Sequence, residues 1–335
     1  MPQFDFITVG GAVKDFTFYT EAGKIFATPQ NLTSQKMLAF EYGAKITVKE
    51  AHFNLGGGAA NTAASLSHLG FKVAIVTRVG RDVIAQEIIN QIKKQNIYPN
   101  LIQRDKALAS GHSFIIAVDK KEREHVVFLA PEATKNLIFN SNNYSALGAN
   151  WLYLTSLVGK NWLENIKNIF DFAKRKKINL VWNPGRLQLQ GGQKTLSEYL
   201  KQTNVLILNK DEAIELVLSG VKLGRRNPKS LNRPIYLLNI LQEWGPKIVV
   251  ITEGKKGAWA YDGKKIYRQK VVSSKTIDTT GVGDAFGSAF ISGLINEKND
   301  VGLALRWGMI NSASVVTKVG AQNGLLTKNE LIKKL

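Results

Sequence analysis

Apolar runs alternate with amphipathic runs along most of this 335-residue chain. Short apolar runs bounded by polar residues predict buried strands, and longer runs with one apolar face predict helices. The predicted strands are 4–9, 73–79, 151–155, 178–183, 205–208 and 247–252. The predicted helices are 59–69, 82–95, 161–176, 194–202, 210–219, 236–244, 284–296, 300–318 and 327–334. This alternation indicates an α/β protein with a mostly parallel sheet covered by helices.

Two stretches depart from that alternation. Residues 12–53 are polar, aromatic and β-prone without a long helix, whereas 110–130 alternate polar and apolar residues. The turn-forming sequence at 119–122 lies between the two halves of the second stretch and predicts a hairpin. Residues 221–234 are expected to form a basic surface loop. Because none of these stretches is typical of an interdomain linker, we expect a single domain over 1–335.

The composition excludes several classes of protein. The chain contains no cysteine, which rules out disulfides, thiolate metal sites and a cysteine nucleophile. No apolar run approaches the roughly 20 residues of a membrane-spanning helix, and the first residues lead into a strand rather than a signal peptide. We therefore expect a cytoplasmic protein without a membrane partner.

The formal net charge of +19 raises the alternative of a nucleic-acid-binding protein, since basic surfaces attract polyanions. The basic residues are nevertheless scattered over a helix end, a loop, a hairpin turn and the terminus, at 174–177, 225–226, 264–265 and 333–334. Each cluster is most simply a solvated surface, so no specific nucleic-acid partner is expected. Filter binding at two salt concentrations tests the alternative.

The sequence Asp-Thr-Thr-Gly-Val-Gly-Asp-Ala-Phe at 278–286 marks a loop that turns into a helix. Gly281 and Gly283 leave the unpaired N–H groups of the helix N-terminus accessible, and such groups hold phosphate. Asp284 places a carboxylate beside this anion site, which is electrostatically unfavourable unless the acid has a proton to remove. The simpler alternative is structural, because an acidic residue in the first turn of a helix is favourable by itself.

A second glycine-rich turn occupies 54–58 and leads into a helix of small residues that contains Asn61. Taken alone, it is explained equally well by a tight turn followed by close helix packing.

The two glycine motifs resemble the signatures of the ribokinase (PfkB) family of carbohydrate and nucleoside kinases. Residues 278–286 are similar to the C-terminal signature, Asp-Thr-x-Gly-Ala-Gly-Asp, with Val282 in place of alanine. Residues 56–61 are similar to the N-terminal signature, although Gly58 stands where ribokinase usually carries lysine. Three weaker matches, at 9–15, 206–212 and 247–257, follow in the family's order, so the resemblance covers nearly the whole chain.

The resemblance implies a ribokinase-like three-layer sandwich with a mostly parallel central sheet and a small β-sheet lid formed by 12–53 and 110–130. It also implies ATP-dependent phosphorylation of a sugar hydroxymethyl group, with Asp284 as general base and the backbone of 281–284 as anion hole. A nucleoside kinase is the main alternative. A catalytically inactive nucleotide-binding regulatory protein is disfavoured, since both the base and the anion hole are intact. Gly10-Gly11-Ala12 lacks the glycine spacing of a dehydrogenase.

The resemblance further assigns ligands to individual residues. Those implied in catalysis are Asp284, Gly281, Val282 and Gly283. The implied substrate-binding residues are Asp15, Gly56, Gly57 and Asn61, and Asn183 joins them because it closes a strand at the carboxyl edge of the sheet, where α/β proteins bind ligands. The implied nucleotide-binding residues are Asn209, Thr252, Gly254, Gly257 and Asn311.

The implied cofactors are ATP and Mg²⁺, with Asn209 and Glu212 holding Mg²⁺ through water. Asp278 and Thr280 fit the family's K⁺ site. Only modest K⁺ activation is expected, because Gly324 replaces a residue that supplies a hydroxyl in ribokinase. A homodimer through the lid is a further expectation of the resemblance.

The acceptor stays open between several classes of small molecule. A sugar phosphate would need a cluster of cations, for which Lys14, Lys45 and Lys49 are close in sequence. A nucleoside would need an aromatic platform. The candidates for that platform are Phe16, Phe18, Tyr19 and Phe114, which equally suit the lid core.

Overall fold

The computed structural model describes residues 3–28, 30–31, 36–118, 125–221 and 228–335. The turn predicted at 119–122 and the stretch 222–227 of the predicted basic loop lie outside the described residues. Within the described residues, no helix is long and apolar enough to cross a membrane.

Strands and helices alternate along the described residues. The strands are β1 Gln3–Val9, β2 Val13–Tyr19, β3 Lys24–Ala27, β4 Lys36–Ala39, β5 Glu50–Gly56, β6 Val73–Val76, β7 Arg78–Val79, β8 Gln103–Arg104, β9 His112–Ala117, β10 His125–Ala130, β11 Gly148–Leu154, β12 Asn179–Trp182, β13 Val205–Asn209, β14 Ile248–Thr252, β15 Ala258–Tyr261 and β16 Ile266–Gln269. The helices are α1 Gly58–His68, α2 Val83–Lys94, α3 Trp162–Lys176, α4 Arg186–Leu200, α5 Lys210–Gly220, α6 Pro234–Glu243, α7 Val282–Asn296, α8 Val301–Val315 and α9 Lys328–Ile332. Short 3-10 turns occupy Glu132–Asn136, Ser141–Tyr144, Pro228–Asn232 and Gly254–Lys256.

The central sheet has eight strands in the order β16-β15-β14-β13-β12-β11-β1-β6. From β6 to β14 neighbouring strands are parallel, and β15 and β16 add an antiparallel hairpin at one edge. One hydrophobic core packs α3, α4, α5 and α6 against the sheet, and a second core packs α1, α2, α7 and α8 against it. These are the expected three layers. The parallel order brings the carboxyl ends of β12, β13 and β14 to one edge of the sheet, where ligands bind in this architecture.

The strand predicted at 73–79 is divided into β6, in the central sheet, and β7, which pairs with β8 in a separate two-stranded sheet. The other predicted elements of the central layer are confirmed, with two differences that have physical causes. Helix α4 begins at Arg186 rather than at 194, because the Gly191-Gly192 pair conceals a helical turn from the sequence pattern. Gly192 has a φ of +74° and interrupts the helix, so two helical segments meet there. The hairpin of β15 and β16 was anticipated only by its turn at 264–265, since its strands are short.

A second sheet of four strands has the order β10-β9-β2-β5. It comes from the two stretches that depart from the α/β alternation. The antiparallel register of β9 with β10 pairs Ala117 with His125, which confirms the predicted hairpin. In β2 the buried residues Val13, Asp15 and Thr17 alternate with more exposed ones. This alternation turns Asp15 toward the main body of the protein.

Candidate active site

Helix α7 begins at a glycine that no other residue can replace without strain. Gly281 is the N-cap and has a left-handed conformation, with φ of 70° and ψ of 6°. A Cβ on Gly281 would overlap Ala321, whose Cα would lie only 2.8 Å away. A Cβ on Gly283 would meet nothing within 4 Å. The first turn of α7, with its unpaired N–H groups, therefore borders open space on the side of Gly283.

Asp284, in that first turn, accepts a hydrogen bond from Asn61 of α1. The distance from Asn61 Nδ2 to Asp284 Oδ2 is 2.9 Å. The pKa of Asp284 is raised from 3.8 to about 6, because burial and the negative charge of Asp15 together outweigh the lowering effect of the hydrogen bond from Asn61. A carboxylate whose pKa is close to neutrality is suited to general base catalysis.

Asp15 lies buried on β2, on the face that is turned toward Asp284. Ser113 Oγ, from the neighbouring strand β9, donates a hydrogen bond to Asp15 Oδ1. Burial raises the pKa of Asp15 to about 6, against the opposing effect of Ser113, and the charge of Asp278 raises it further. Asp15, Asp278 and Asp284 thus form a group of carboxylates that affect one another electrostatically.

The glycines before α1 make room for this arrangement. A Cβ on Gly56 would overlap the carboxylate of Asp15. Gly57 has a φ of +91°, and its Cβ would lie 2.6 Å from the carbonyl oxygen of Gly11. Both glycines are therefore required by close packing around Asp15 and the start of α1, whatever they contact in a ligand.

Asp278 ties the loop before α7 to the loop after α8. Asp278 Oδ1 accepts from the Thr280 backbone N–H at 2.9 Å and from Thr280 Oγ1 at 2.8 Å. Asp278 Oδ2 accepts from the Gly320 backbone N–H at 2.8 Å. Both carboxylate oxygens of Asp278 are therefore engaged within the protein, Oδ1 by Thr280 and Oδ2 by Gly320.

A cavity of about 600 Å³ opens beside the first turn of α7. Its lining includes three residues that the sequence assigned to the nucleotide, and two from the anion hole: Thr252, Gly254, Gly257, Val282 and Gly283. The volume lies within the range of small-molecule sites. Part of the wall comes from α8, through Met309, Ser312 and Val316. The sequence does not identify these three residues as ligand contacts, because their spacing is that of an ordinary helix face.

Asn209 and Glu212 form a capping box at the start of α5. Asn209 Oδ1 accepts from the Glu212 backbone N–H at 2.9 Å, and Glu212 Oε2 accepts from the Asn209 backbone N–H at 2.8 Å. Burial, together with the charges of Asp211, Glu215 and Asp284, raises the pKa of Glu212 to about 7. In the part of the chain that the structure describes, no cluster of three or more acidic or histidine side chains could bind a metal directly. The uncompensated negative charge at Glu212 and Asp284 suits a cation that keeps its waters, as Mg²⁺ does.

Asn311 and Asn183, which were both expected to contact a ligand, form hydrogen bonds within the protein. Asn311 is completely buried; it donates to Ser65 Oγ and to the Ala285 carbonyl, and it accepts from the Leu326 N–H. The expectation that Asn311 contacts the nucleotide is therefore wrong, because its whole amide group is used to join α8 to α1 and α7. Asn183 donates to the Ile207 carbonyl at 2.9 Å and lies at the carboxyl end of β12, so its substrate contact stays a prediction.

The residues considered for acceptor recognition do not converge on Asp15. Lys14 pairs with Glu87 at 2.9 Å, and Lys49 pairs with Glu21 at 2.6 Å. Phe16 and Phe18 pack against Phe114 on β9, and strand alternation turns them to the face opposite Asp15. Tyr19 packs against His52. Neither a cation cluster nor an aromatic platform is formed by these residues beside Asp15.

The fold and the site together define an α/β enzyme with an acidic centre beside a nucleotide-sized cavity. The family model described as pfkB family carbohydrate kinase matches residues 29–328. The chain therefore belongs to the pfkB family, as its two glycine motifs indicated, and it is an ATP-dependent carbohydrate kinase.

Individual relatives agree with this assignment. The chain is 26% identical over 295 residues to the ribokinase of Haemophilus influenzae, covering 88% of this chain and 91% of the relative. Its fold is similar to that of Arabidopsis thaliana ribokinase complexed with ribose and ATP, with a TM-score of 0.77, 17% identity, and coverage of 99% and 98%. It is equally similar to the Burkholderia thailandensis nucleoside kinase in complex with inosine, with a TM-score of 0.77, 16% identity, and coverage of 98% and 97%. These similarities confirm the ribokinase-like fold.

Proposed function

We propose that this kinase transfers the γ-phosphoryl group of ATP to a hydroxymethyl group of a sugar. The observation that carries the proposal is the hydrogen bond of 2.9 Å between Asn61, from the first glycine motif, and Asp284, from the second. It joins a residue assigned to sugar hydroxyls to the candidate base. The cavity that contains Gly283 lies on the other side of the same helix turn.

In the proposed reaction, Asp284 removes the proton of the acceptor hydroxyl. The hydroxyl oxygen forms a bond to the γ-phosphorus, the bond to the β-phosphate oxygen breaks, and ADP leaves. A positioned carboxylate contributes about 10²–10⁴-fold to such a step. The N–H groups of Gly281, Val282 and Gly283 form the anion hole, which stabilises the charge on the transferring group without reorganisation.

Magnesium, when bound, neutralises phosphate charge and helps to orient the transferring group. Asn209 and Glu212 would hold it through water, because both side chains lie at the edge of the sheet that carries Thr252. The register pairs Asn209 with Thr252 in neighbouring parallel strands. The raised pKa of Glu212, caused first by burial and then by neighbouring negative charges, supports this assignment, since a nearby cation would stabilise the ionised carboxylate.

The second sheet is proposed to act as a lid over the sugar, within a single kinase domain of 1–335. One contact between this sheet and the loop before α7 supports this role: His125 Nδ1 of β10 lies 3.2 Å from Thr279 Oγ1. Closure would exclude water that competes for the phosphoryl group. Hydrogen exchange in β2, β5, β9 and β10 should therefore slow when the acceptor binds, and unchanged exchange in all four strands would contradict the assignment.

The face of the lid that is turned away from Asp15 is apolar, with Phe53, Phe114 and Phe128 exposed by 56%, 40% and 55%. We extend the proposal to a homodimer through this face, because contiguous exposed apolar surface marks an interaction site. Sedimentation velocity of wild type and of Phe128→Lys tests it. A monomeric wild type at micromolar concentration would refute the dimer and leave the kinase assignment untouched.

A free sugar is preferred as acceptor, because Lys14, Phe16 and Phe18 lie on the face of β2 opposite Asp15. The fold similarity to a nucleoside kinase bound to inosine keeps a nucleoside as the second candidate. The deciding experiment is an ATP-consumption screen over free sugars, sugar acids, nucleosides and sugar phosphates. Asp284→Asn serves as the control for contaminating ATPase. Turnover with nucleosides alone would overturn the sugar assignment.

A further inference from the structure

Three side-chain amides form a continuous hydrogen-bonded chain that ends at Asp284. Gln95 Nε2, at the end of α2, donates to Gln322 Oε1 at 2.8 Å. Gln322 Nε2, in the loop after α8, donates to Asn61 Oδ1 at 3.0 Å. Asn61 Nδ2 in turn donates to Asp284 Oδ2 at 2.9 Å. We call these three amides the amide relay.

The direction of the hydrogen bonds in the relay is fixed by Asp284, where the relay ends. An ionised carboxylate can only accept hydrogen bonds, so Asn61 must turn its NH₂ group toward Asp284. Its oxygen then faces Gln322, which must donate, and the oxygen of Gln322 faces Gln95, which must donate as well. Asn61 and Gln322 therefore each have a single orientation that satisfies both neighbours, although amide oxygen and nitrogen have nearly the same shape.

We propose that Gln322 is a positioning residue that holds Asn61 in the orientation that donates to Asp284, and that Gln95 fixes Gln322 in the same way. The catalytic consequence rests on the proposed role of Asp284 as base. Gln95 and Gln322 themselves line a different cavity, of about 1000 Å³, next to α2. They act through Asn61 rather than on a reacting atom.

The relay leaves one oxygen of Asp284 for the reaction. Asn61 occupies Oδ2 and stabilises the ionised carboxylate, so the acceptor's proton is directed to Oδ1. The relay also engages the oxygen of Asn61. The second N–H of Asn61 is left to donate to a sugar hydroxyl.

No other side chain described around Asp284 compensates its charge. The titratable groups that face it are Asp15 from β2, Glu212 from α5 and Tyr153 from β11, and each interacts with it unfavourably when ionised. Apart from the backbone N–H groups of α7, the donor that favours the carboxylate is therefore Asn61, and Gln322 supports the same orientation by donating to the Asn61 oxygen.

The test is a change of Gln322 that keeps its shape and reverses its polarity. In Gln322→Glu an ionised carboxylate replaces the amide and can only accept, so it attracts the NH₂ group of Asn61 and turns the Asn61 oxygen toward Asp284. Gln322→Met breaks the relay without reversing it. Gln91→Glu is the matched control. Gln91 lines the same cavity and does not belong to the relay, and its replacement by glutamate adds the same charge as Gln322→Glu.

The readout is the titration of Asp284 itself, in the full chain labelled with ¹³Cγ-aspartate and observed by NMR. The Asp284 signal is assigned by its absence from Asp284→Asn. We expect Gln322→Glu to raise the apparent pKa by about one unit or more, Gln322→Met to raise it less, and Gln91→Glu to change it by under about 0.3 units. Circular dichroism and thermal unfolding verify that each variant is folded.

A folded Gln322→Glu whose Asp284 titrates like wild type would overturn the proposal. If Gln322→Glu does not fold, the titration of Asp284 is measured in Gln322→Met and Gln95→Met instead. An Asp284 pKa that is unchanged in both variants would also overturn the proposal. The titration needs no substrate, so it is independent of the proposed reaction. Failure of the reaction itself would be recognised instead by an Asp284→Asn enzyme that keeps its turnover.

Discussion

Asp284→Asn is expected to stabilise the protein while it abolishes most of the activity. The pKa of Asp284 is raised from 3.8 to about 6 in the folded state. The folded protein therefore binds more protons than the unfolded chain between about pH 4 and pH 6, and its free energy of unfolding falls as the pH rises through that window. Above about pH 6, Asp284 is ionised in the folded protein, and its buried charge lowers the free energy of unfolding by the full amount.

The size of the effect follows from the shift of about two pKa units, each equivalent to about 1.4 kcal/mol. Ionised Asp284 thus lowers the free energy of unfolding by up to about 3 kcal/mol at pH 8, and solvent screening reduces this figure because the side chain is only partly buried. Asparagine removes the charge but retains an oxygen that accepts from Asn61. We therefore expect Asp284→Asn to raise the free energy of unfolding by up to about 3 kcal/mol at pH 8 and by almost nothing at pH 4.

The measurement is urea denaturation of both proteins at several pH values between 4 and 8, together with ATP consumption in the presence of the acceptor found by the screen. Turnover of the variant should fall by about 10²–10⁴-fold, and wild-type turnover should fall below about pH 6 as Asp284 takes up a proton. The matched control is Asp171→Asn, on the exposed side of α3, which should change the stability by less than about 0.5 kcal/mol. A variant that is no more stable than wild type at pH 8, or whose gain is the same at pH 4, would refute the reasoning.

Three other changes test separate parts of the site. Gly281→Ala should lower both stability and turnover, since the left-handed φ and the contact with Ala321 strain the anion hole; an unaltered melting temperature would contradict this. Gly56→Ala should displace the carboxylate of Asp15 and raise KM for the acceptor while KM for ATP stays within about twofold; equal changes in both constants would indicate general disruption instead. Replacing Na⁺ by K⁺ at constant ionic strength should raise the rate by less than about tenfold, because the oxygens of Asp278 are already bonded within the loops. A larger rise that is specific to K⁺ would show that other ligands complete a cation site.

The sequence predicted the central layer and the two glycine motifs because both depend on local patterns. Buried parallel strands are continuous apolar runs, and a glycine at a helix start is required by its own backbone conformation. The amide relay could not be predicted, since Gln95 and Gln322 are 227 positions apart and glutamine is common on surfaces. Asn311 illustrates the opposite error: a polar residue assigned from resemblance belongs to the core, because only the packing of α8 shows that its amide is already satisfied.

The arrangement of the site along the chain has a consequence for biosynthesis. Asn61 meets Asp284 across 223 positions and Gln322 across 261. A growing polypeptide emerges from the ribosome amino-terminal end first, so most strands of the central sheet are available before the base and its support exist. A nascent or C-terminally truncated chain can therefore begin to fold. If Asp284 is the base, as proposed, such a chain should not transfer phosphoryl groups until the last loop has been synthesised and has docked onto α1.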